Sequence, residues 1–355
     1  MEIKIGNRIV NNKVFSKPYI IAEAGVNHEG DIDKAFLMIE QAKKAGADAI
    51  KFQAYKAEKL ASKNSPYYWD ISKEPTRSQY ELFKKYDKFW KKEFEKLVNY
   101  ARKKGIDFMS TPFDIESADF LEPLVPAYKV ASADITNLPF IRYVARKKKP
   151  ILLSTGASTI SEIWRAIDVI KDERNEDIIL LHCVLNYPTK YENANLGMIS
   201  DMKRKFPDYV IGYSDHTLSD KVEDIFITAW LSGAMVIEKH FTFNKSLPGN
   251  DHYHSMDKDD LEKVVKKIDF IHLIIGNMEK GYLNSEEISR RNARRSLVAL
   301  KNIKKGEVIK ADSITWKRPG IGVSPYLYEI VVGSIAMRDI KEDDIIKFGD
   351  FKVNE

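Results

Sequence analysis

Residues 150–186 read PILLSTGASTISEIWRAIDVIKDERNEDIILLHCVLN. An apolar run ends in Ser154 and Thr155, an amphipathic stretch follows from Ser161 to Lys171, and a second apolar run closes on His182 and Asn186. Strands buried on both faces read as continuous apolar runs, and a helix between two of them is the crossover that parallel pairing demands. The same unit repeats outward in both directions. The candidate strands are YIIAEAG (19–25), DAIKFQAY (48–55), IDFMSTPF (106–113), AYKVASAD (127–134), PILLSTG, IILLHCVLN, VIGYSDHT (210–217) and MVIEKHF (235–241), most followed by a helical stretch such as Asp33 to Ala45. Eight βα units with apolar bodies and polar C-terminal ends predict an α/β TIM (β/α)8 barrel over residues 1–276, with an open doubly wound sheet as the runner-up. An insertion from about Ser62 to Phe89, rich in Tyr, Trp and Lys, follows the second strand and so falls on the side where active sites sit, as a lid or specificity loop.

A polar linker, 277–295, leads to a differently patterned tail, 296–355. There ALKNIKKGEVIKADSI resembles AMRDIKEDDIIKFGDF, which predicts a small β-rich domain with internal pseudo-symmetry. Hydrophobic residues make up 44% and charged residues 31% of the 355, enough for a large core and a wet surface. The first residues, MEIKIGNRIVNN, contain no apolar targeting segment, and no run is long enough to cross a membrane, so the expected compartment is the cytoplasm. The single cysteine, Cys183, lies in an apolar run and reads as core. A net charge of +5 is spread through Lys/Glu-rich helices. The cluster Arg290, Arg291, Arg294 and Arg295 has no stacking aromatics beside it, so no nucleic-acid partner is expected.

Barrel interiors are filled by branched apolar side chains, so polar residues recurring at every strand end need another reason. They are Glu23 and Asn27; Lys51 and Gln53; Ser110 and Thr111; Lys129, Ser132 and Asp134; Ser154 and Thr155; His182, Asn186 and Tyr187; Ser214, Asp215 and His216; Glu238, Lys239 and His240. Lys51 and Lys129 are costly to bury without a compensating anion, for which a phosphate or carboxylate is the simplest candidate. Thr111, Ser132, Ser154, Ser214 and the Asn186 amide would complete a cradle of donors. Schiff-base chemistry at a barrel lysine is the rival. His216 and His240 end consecutive strands and can converge on a divalent metal, with Glu23 and Asp251 supplying oxygen or holding water. His252 and His254, in GNDHYHSM, lie on a loop and are left off the metal; His28 shapes the first loop.

Together IAEAGVNHEG, IKFQAY, STPFD, YKVAS, STG, HCVLNYPT, IGYSDHT, IEKHF, PGNDHYHSM and KRPGIG resemble, in order, the motifs of the sialic acid synthase family, N-acetylneuraminate and legionaminate synthases included. The tail resembles the antifreeze-like, or SAF, β-clip domain that accompanies that barrel. The resemblance implies metal-dependent condensation of phosphoenolpyruvate with an open-chain N-acylmannosamine-type sugar, giving a nine-carbon nonulosonic acid and phosphate. It implies that Lys51, Thr111, Lys129, Ser132, Ser154, Asn186 and Ser214 hold phosphoenolpyruvate with Gln53 and Tyr187 nearby. His216 and His240 would bind Mn2+, or Mg2+ or Co2+ in its place, while Glu23, Asp134 and Asp251 take catalytic roles. Arg318, in KRPGIG, would reach the barrel of the other subunit of a domain-swapped homodimer. Asp134 departs from the longer glutamate common in N-acetylneuraminate synthases. Together with SPYYWDISKEPTRSQYELFKKYDKF and GNDHYHSM it resembles the legionaminic acid branch more than the N-acetylneuraminate branch, which implies a legionaminate-type sugar ahead of N-acetylmannosamine. The competing readings are a phosphoenolpyruvate-dependent keto-deoxy sugar acid synthase, a Schiff-base aldolase, and a non-catalytic carbohydrate-binding barrel.

Overall fold

A hairpin opens the chain: β1 (Glu2–Ile5) pairs antiparallel with β2 (Arg8–Asn11). Eight strands then follow: β3 (Tyr19–Gly25), β4 (Ala49–Ala54), β5 (Asp107–Pro112), β6 (Tyr128–Val130), β7 (Ile151–Ser154), β8 (Ile178–Cys183), β9 (Val210–Asp215) and β10 (Val236–His240). Each pairs in parallel with the next, and β10 returns to β3 with His240 opposite Glu23, so the sheet closes into a barrel rather than an open sheet. This computed structural model describes residues 1–249 and 251–354.

Helix Ile32–Ala45 shows how local sequence sets each unit. Asp31 caps it by accepting from the Asp33 and Lys34 amides, and Gly46, at φ 96°, ends it in a left-handed turn that a side chain would strain. Its buried residues, Ala35, Met38, Ile39, Ala42 and Ala45, fall at helical spacing and join the layer between helices and strands.

The barrel interior is a separate cluster of Tyr19, Ile21, Ala49, Met109, Ala127, Leu152, Leu181, Val210 and Val236, among others, joined by Ile3, Ile5 and Val10 of the hairpin. Each of these three, nearly free of solvent, contributes roughly 1.5–3 kcal/mol of apolar burial. Alternate residues of a strand share a face. In six of the eight units the same face therefore turns polar two positions beyond an apolar member: Ile21 gives Glu23, Ala49 gives Lys51, Met109 gives Thr111, Ala127 gives Lys129, Leu152 gives Ser154 and Val236 gives Glu238. The interior thus has an apolar floor and a polar upper layer.

The chain divides into two compact units, Met1–Gly276 and Asn277–Glu355. The second begins with a segment carrying a short helix, Glu287–Ala293. It continues as small antiparallel pairs, β11 (Ser296–Ala299) with β12 (Ile314–Lys317) and β13 (Ile335–Ala336) with β14 (Phe351–Lys352). Its internal symmetry is visible in the bridges: Ile303 pairs with Ile340, while Val298 pairs with Ile345 and Val308 with Ile335. Residues 37 apart (303 and 340, 298 and 335, 308 and 345) thus exchange partners about a pseudo-twofold, as the repeated sequence predicts.

Candidate active site

The polar layer opens into a cavity of about 510 Å3. Glu23, Lys51, Gln53, Thr111, Lys129, Ser132, Asp134, Ser154, Tyr187, Ser214, His216, His240 and Asp251 all line it. Asn186 does not; it is exposed on the loop after β8. The reason is alternation carried past the strand: Cys183, Leu185 and Tyr187 take the inward positions and leave Asn186 outward. Arg318 belongs to the C-terminal unit and is exposed just beyond β12. The same alternation removes other strand-end polar residues from the cavity. Lys239 and Asp215 face the helix side, fully buried and paired at 2.7 Å. His182 Nε2 sits 2.9 Å from the Ala194 carbonyl in a structural hydrogen bond.

At the cavity floor the two lysines are not left uncompensated. Lys51 pairs with Glu23, lies 3.6 Å from a Glu238 oxygen and donates to Thr111 Oγ1 at 2.9 Å. Lys129 lies 3.2 Å from the other Glu238 oxygen, which also accepts from Ser214 Oγ at 3.1 Å. The protein's own carboxylates therefore fill the place in which the sequence suggested a substrate anion. Burial pushes the Lys51 ammonium down to about 7 against the pull of Glu238, with Lys129 adding to the depression. Burial works against charge on Glu238 as well, yet Lys129 and Lys51 hold its carboxyl below the usual range. Glu238 was legible as a strand-end residue, but its bridging role was not. Gln53 Nε2 donates to Glu23 at 3.0 Å. Ser132 Oγ accepts from the Gly156 amide at 2.9 Å; a Cβ on Gly156 would stand 2.8 Å from that oxygen, so the glycine of STG is required by close approach. Ser154 Oγ is buried with no hydrogen-bond partner among the described residues, a donor and acceptor free for a ligand. Burial raises the Asp134 carboxyl.

On another part of the wall stand the histidines. The rings of His216 and His240 are 5.4 Å apart, and Tyr187 packs on His216 at 4.2 Å. His216 Nδ1 lies 2.8 Å from the Val184 carbonyl, which places a proton on Nδ1 and leaves Nε2 as the nitrogen that would meet a metal. Burial works against the charged ring, yet Cys183 and the Val184 carbonyl raise it, so a metal would displace a proton there. His240 Nδ1 is buried without a hydrogen bond among the described residues and lies 3.7 Å from an Asp251 oxygen. Burial, reinforced by His254 and His216, keeps His240 neutral, which is the ligating form. Burial raises Asp251 to about 6. Among the described residues, the ligand atoms of His240, Asp251 and His254 lie within 4.8 Å of one another. An orphaned imidazole nitrogen beside a carboxylate and further imidazoles fits a divalent ion. His254, set aside in the sequence because it lies on a loop, is brought to His240 by the closure of that loop. His28 is a loop-shaping residue: it stacks on Phe89 at 4.0 Å, accepts from the Gly30 amide and is held neutral by burial, down to about 3.

The insertion after β4 reaches the site. Leu60, Tyr68, Gln79, Leu82, Phe83 and Tyr86 line the cavity with Tyr55 and Phe113, giving it a largely apolar side that strand-end reading had not anticipated.

Residues 38–280 match the model of the NeuB family, and residues 294–352 that of the SAF domain. An uncharacterized protein of Methanocaldococcus jannaschii is 43% identical over 98% of this chain and 98% of its own length. The N,N'-diacetyllegionaminic acid synthase of Campylobacter jejuni is 39% identical over 93% of this chain and 99% of its own. The crystal structure of an N-acetylneuraminic acid synthetase from Leptospira borgpetersenii, 36% identical, superposes with a TM-score of 0.71, covering 81% of this chain and 95% of that one. With its barrel, its cavity and its C-terminal SAF domain, this chain belongs to the NeuB family of acid synthases.

Proposed function

We propose that this chain condenses phosphoenolpyruvate with an open-chain N-acylmannosamine-type sugar and water, releasing phosphate and a nine-carbon nonulosonic acid, with a legionaminate-type sugar preferred over N-acetylmannosamine. The observation that carries the reading is one cavity holding two buried lysines among hydroxyls and, on its wall, a histidine–carboxylate group. The first suits a phosphorylated carboxylate, the second a carbonyl. The likeness to the legionaminic acid synthase and the apolar wall from residues 60–86, suited to deoxy and acyl groups, support the sugar preference.

In the reaction a bond forms between C3 of phosphoenolpyruvate and the sugar aldehyde carbon. Water then adds at C2, and the tetrahedral intermediate expels phosphate. Lys51 and Lys129 hold the phosphate and take up its charge as it leaves, a role that requires their bonds to Glu23 and Glu238 to loosen on binding. Glu23, once released from Lys51, can orient the attacking water. Gln53, bonded to Glu23, keeps that carboxylate aimed. Asp134 faces the sugar. A divalent ion, Mn2+ in this reading, would be held by His216 and His240 and would supply Lewis acidity at the aldehyde. Arg318 is assigned to the sugar's acyl group or hydroxyls, across a homodimer, with the guanidinium fork as its warrant.

The test is phosphate release from phosphoenolpyruvate with a panel of mannosamine-type sugars, with and without Mn2+. Turnover fastest with a twice-acetylated sugar is the expected outcome. Release with no sugar in the panel refutes the reaction, and equal rates with N-acetylmannosamine refute the preference. Imine formation at Lys51 is the chemistry that its value of about 7 would also permit. Borohydride trapping of pyruvate on the protein would establish that instead.

A further inference from the structure

We infer that His254 is a direct ligand of the metal, joining His240 and Asp251, so that the centre takes a loop histidine and a carboxylate in addition to a strand-end histidine. The inference rests on the reading that the chain binds a divalent ion. His254 is fully buried, and its ring centre lies 5.0 Å from that of His240. Its Nε2 stands 4.0 Å from one Asp251 oxygen, and His240 Nδ1 stands 3.7 Å from the other. Two ligands of one ion, each about 2.1 Å from it, can be at most about 4.2 Å apart. Both measured gaps fall inside that span. The widest separation in the group is at most 4.8 Å, about 0.6 Å beyond that span, a gap that small side-chain rotations would close on metal binding.

The loop that carries His254 is not free to wander. The Met256 amide donates to the His240 carbonyl at 2.9 Å, and the Thr242 amide donates to the Met256 carbonyl at 2.9 Å. Asn27 Nδ2 donates to Ser255 Oγ at 3.1 Å and to the Phe241 carbonyl at 3.0 Å. These bonds splice residues 255 and 256 alongside the end of β10 and hold the adjoining His254 beside His240, as a ligand position requires. The second independent mark is His240 Nδ1, buried and without a hydrogen bond among the described residues, on the atom nearest Asp251. A set of imidazoles with one carboxylate favours Co2+, Zn2+, Fe2+ or Mn2+ over Mg2+, which prefers oxygen ligands and retained water.

The experiment is a Co2+ titration of the full-length, metal-stripped chain, followed by visible absorption and by competition with a chelator, on the native protein, His254→Ala and His254→Asn, with thermal melts to confirm folding. The native chain is expected to bind Co2+ with a visible band that excess Mg2+ does not abolish. Either folded variant should bind more than about 100-fold more weakly, beyond the loss that follows removal of an outer-sphere partner, and its band should shift. An unchanged band with affinity within tenfold of native overturns the inference. A crystal of the native chain soaked in Co2+ provides a readout without mutation. An anomalous peak about 2.1 Å from a His254 nitrogen supports the assignment, and a peak on His216 and His240 away from His254 overturns it. If the native chain takes up neither Co2+ nor Mn2+, the metal reading itself fails, a result distinct from binding that ignores His254.

Discussion

Glu238→Gln isolates the charge balance of the cavity floor. The carboxylate stands 3.2 Å from Lys129 Nζ and 3.6 Å from Lys51 Nζ, and glutamine keeps its shape and its bond from Ser214 while removing its charge. Breaking a buried pair by neutralising one partner costs about 3–5 kcal/mol, because a charge is left without compensation. The two lysines do not share that loss evenly. Lys51 titrates at about 7, so at pH 8 it is already mostly neutral, and losing its neighbour adds less than about 1 kcal/mol. Lys129 has no other ionic partner among the described residues and carries the rest. A net loss of about 3–4 kcal/mol lowers the melting temperature of a barrel this size by roughly 6–15 °C. An anion that takes the vacated place should reverse the loss. At one hundred times its Kd, sulfate returns about 2.7 kcal/mol to the variant and much less to the native chain, where Glu238 competes for the same lysines. Thermal melts of both proteins across a sulfate series measure this directly. Equal melting temperatures without sulfate, or equal gains with it, would refute the claim that Glu238 occupies the anion's place.

Three further outcomes follow from the same geometry. Because Lys51 is charged below about 7 and neutral above it, sulfate affinity should weaken towards tenfold per pH unit as pH rises past that value, and Lys51→Met should flatten the profile; a native profile flat from pH 6 to 9 refutes the assignment. His240→Ala, or removal of metal by a chelator, should abolish phosphate release, and full activity in verified metal-free protein would end the metal's role. Arg318→Ala should raise KM for the sugar at least tenfold while leaving KM for phosphoenolpyruvate nearly unchanged; equal losses would argue against a sugar contact.

Much of this architecture is local, and local features are what a sequence displays. The step from Ile21 to Glu23, from Ala49 to Lys51 and from Val236 to Glu238 is written as an apolar strand turning polar on one face, and it predicted both the barrel and the layer holding the site. The same periodicity, applied strictly, would have turned Lys239 and Asp215 outward and kept Asn186 out of the cradle, since each neighbours a residue that points inward. The apolar wall from the insertion was less legible. Leu82, Phe83 and Tyr86 show helical spacing that serves a core as readily as a cavity, and only the path of the loop decides between them.

What the sequence could not display is pairing across the barrel. Lys129 on β6 and Glu238 on β10 are far apart in the chain, and nothing local to either one names the other. A buried lysine read alone demands an anion, and the demand is equally met by a substrate or by a carboxylate from another strand. The distinction matters for mechanism. A cavity floor whose lysines are already neutralised is stable when empty, whereas two uncompensated ammonium groups would cost several kcal/mol each. Under the proposed function it would exchange partners when a phosphorylated substrate enters, so that binding and the release of Glu23 would be one event. In the proposed reaction that coupling would give Glu23 a carboxylate free to orient water only when substrate holds Lys51, and it would tie the base to the presence of the molecule on which it acts.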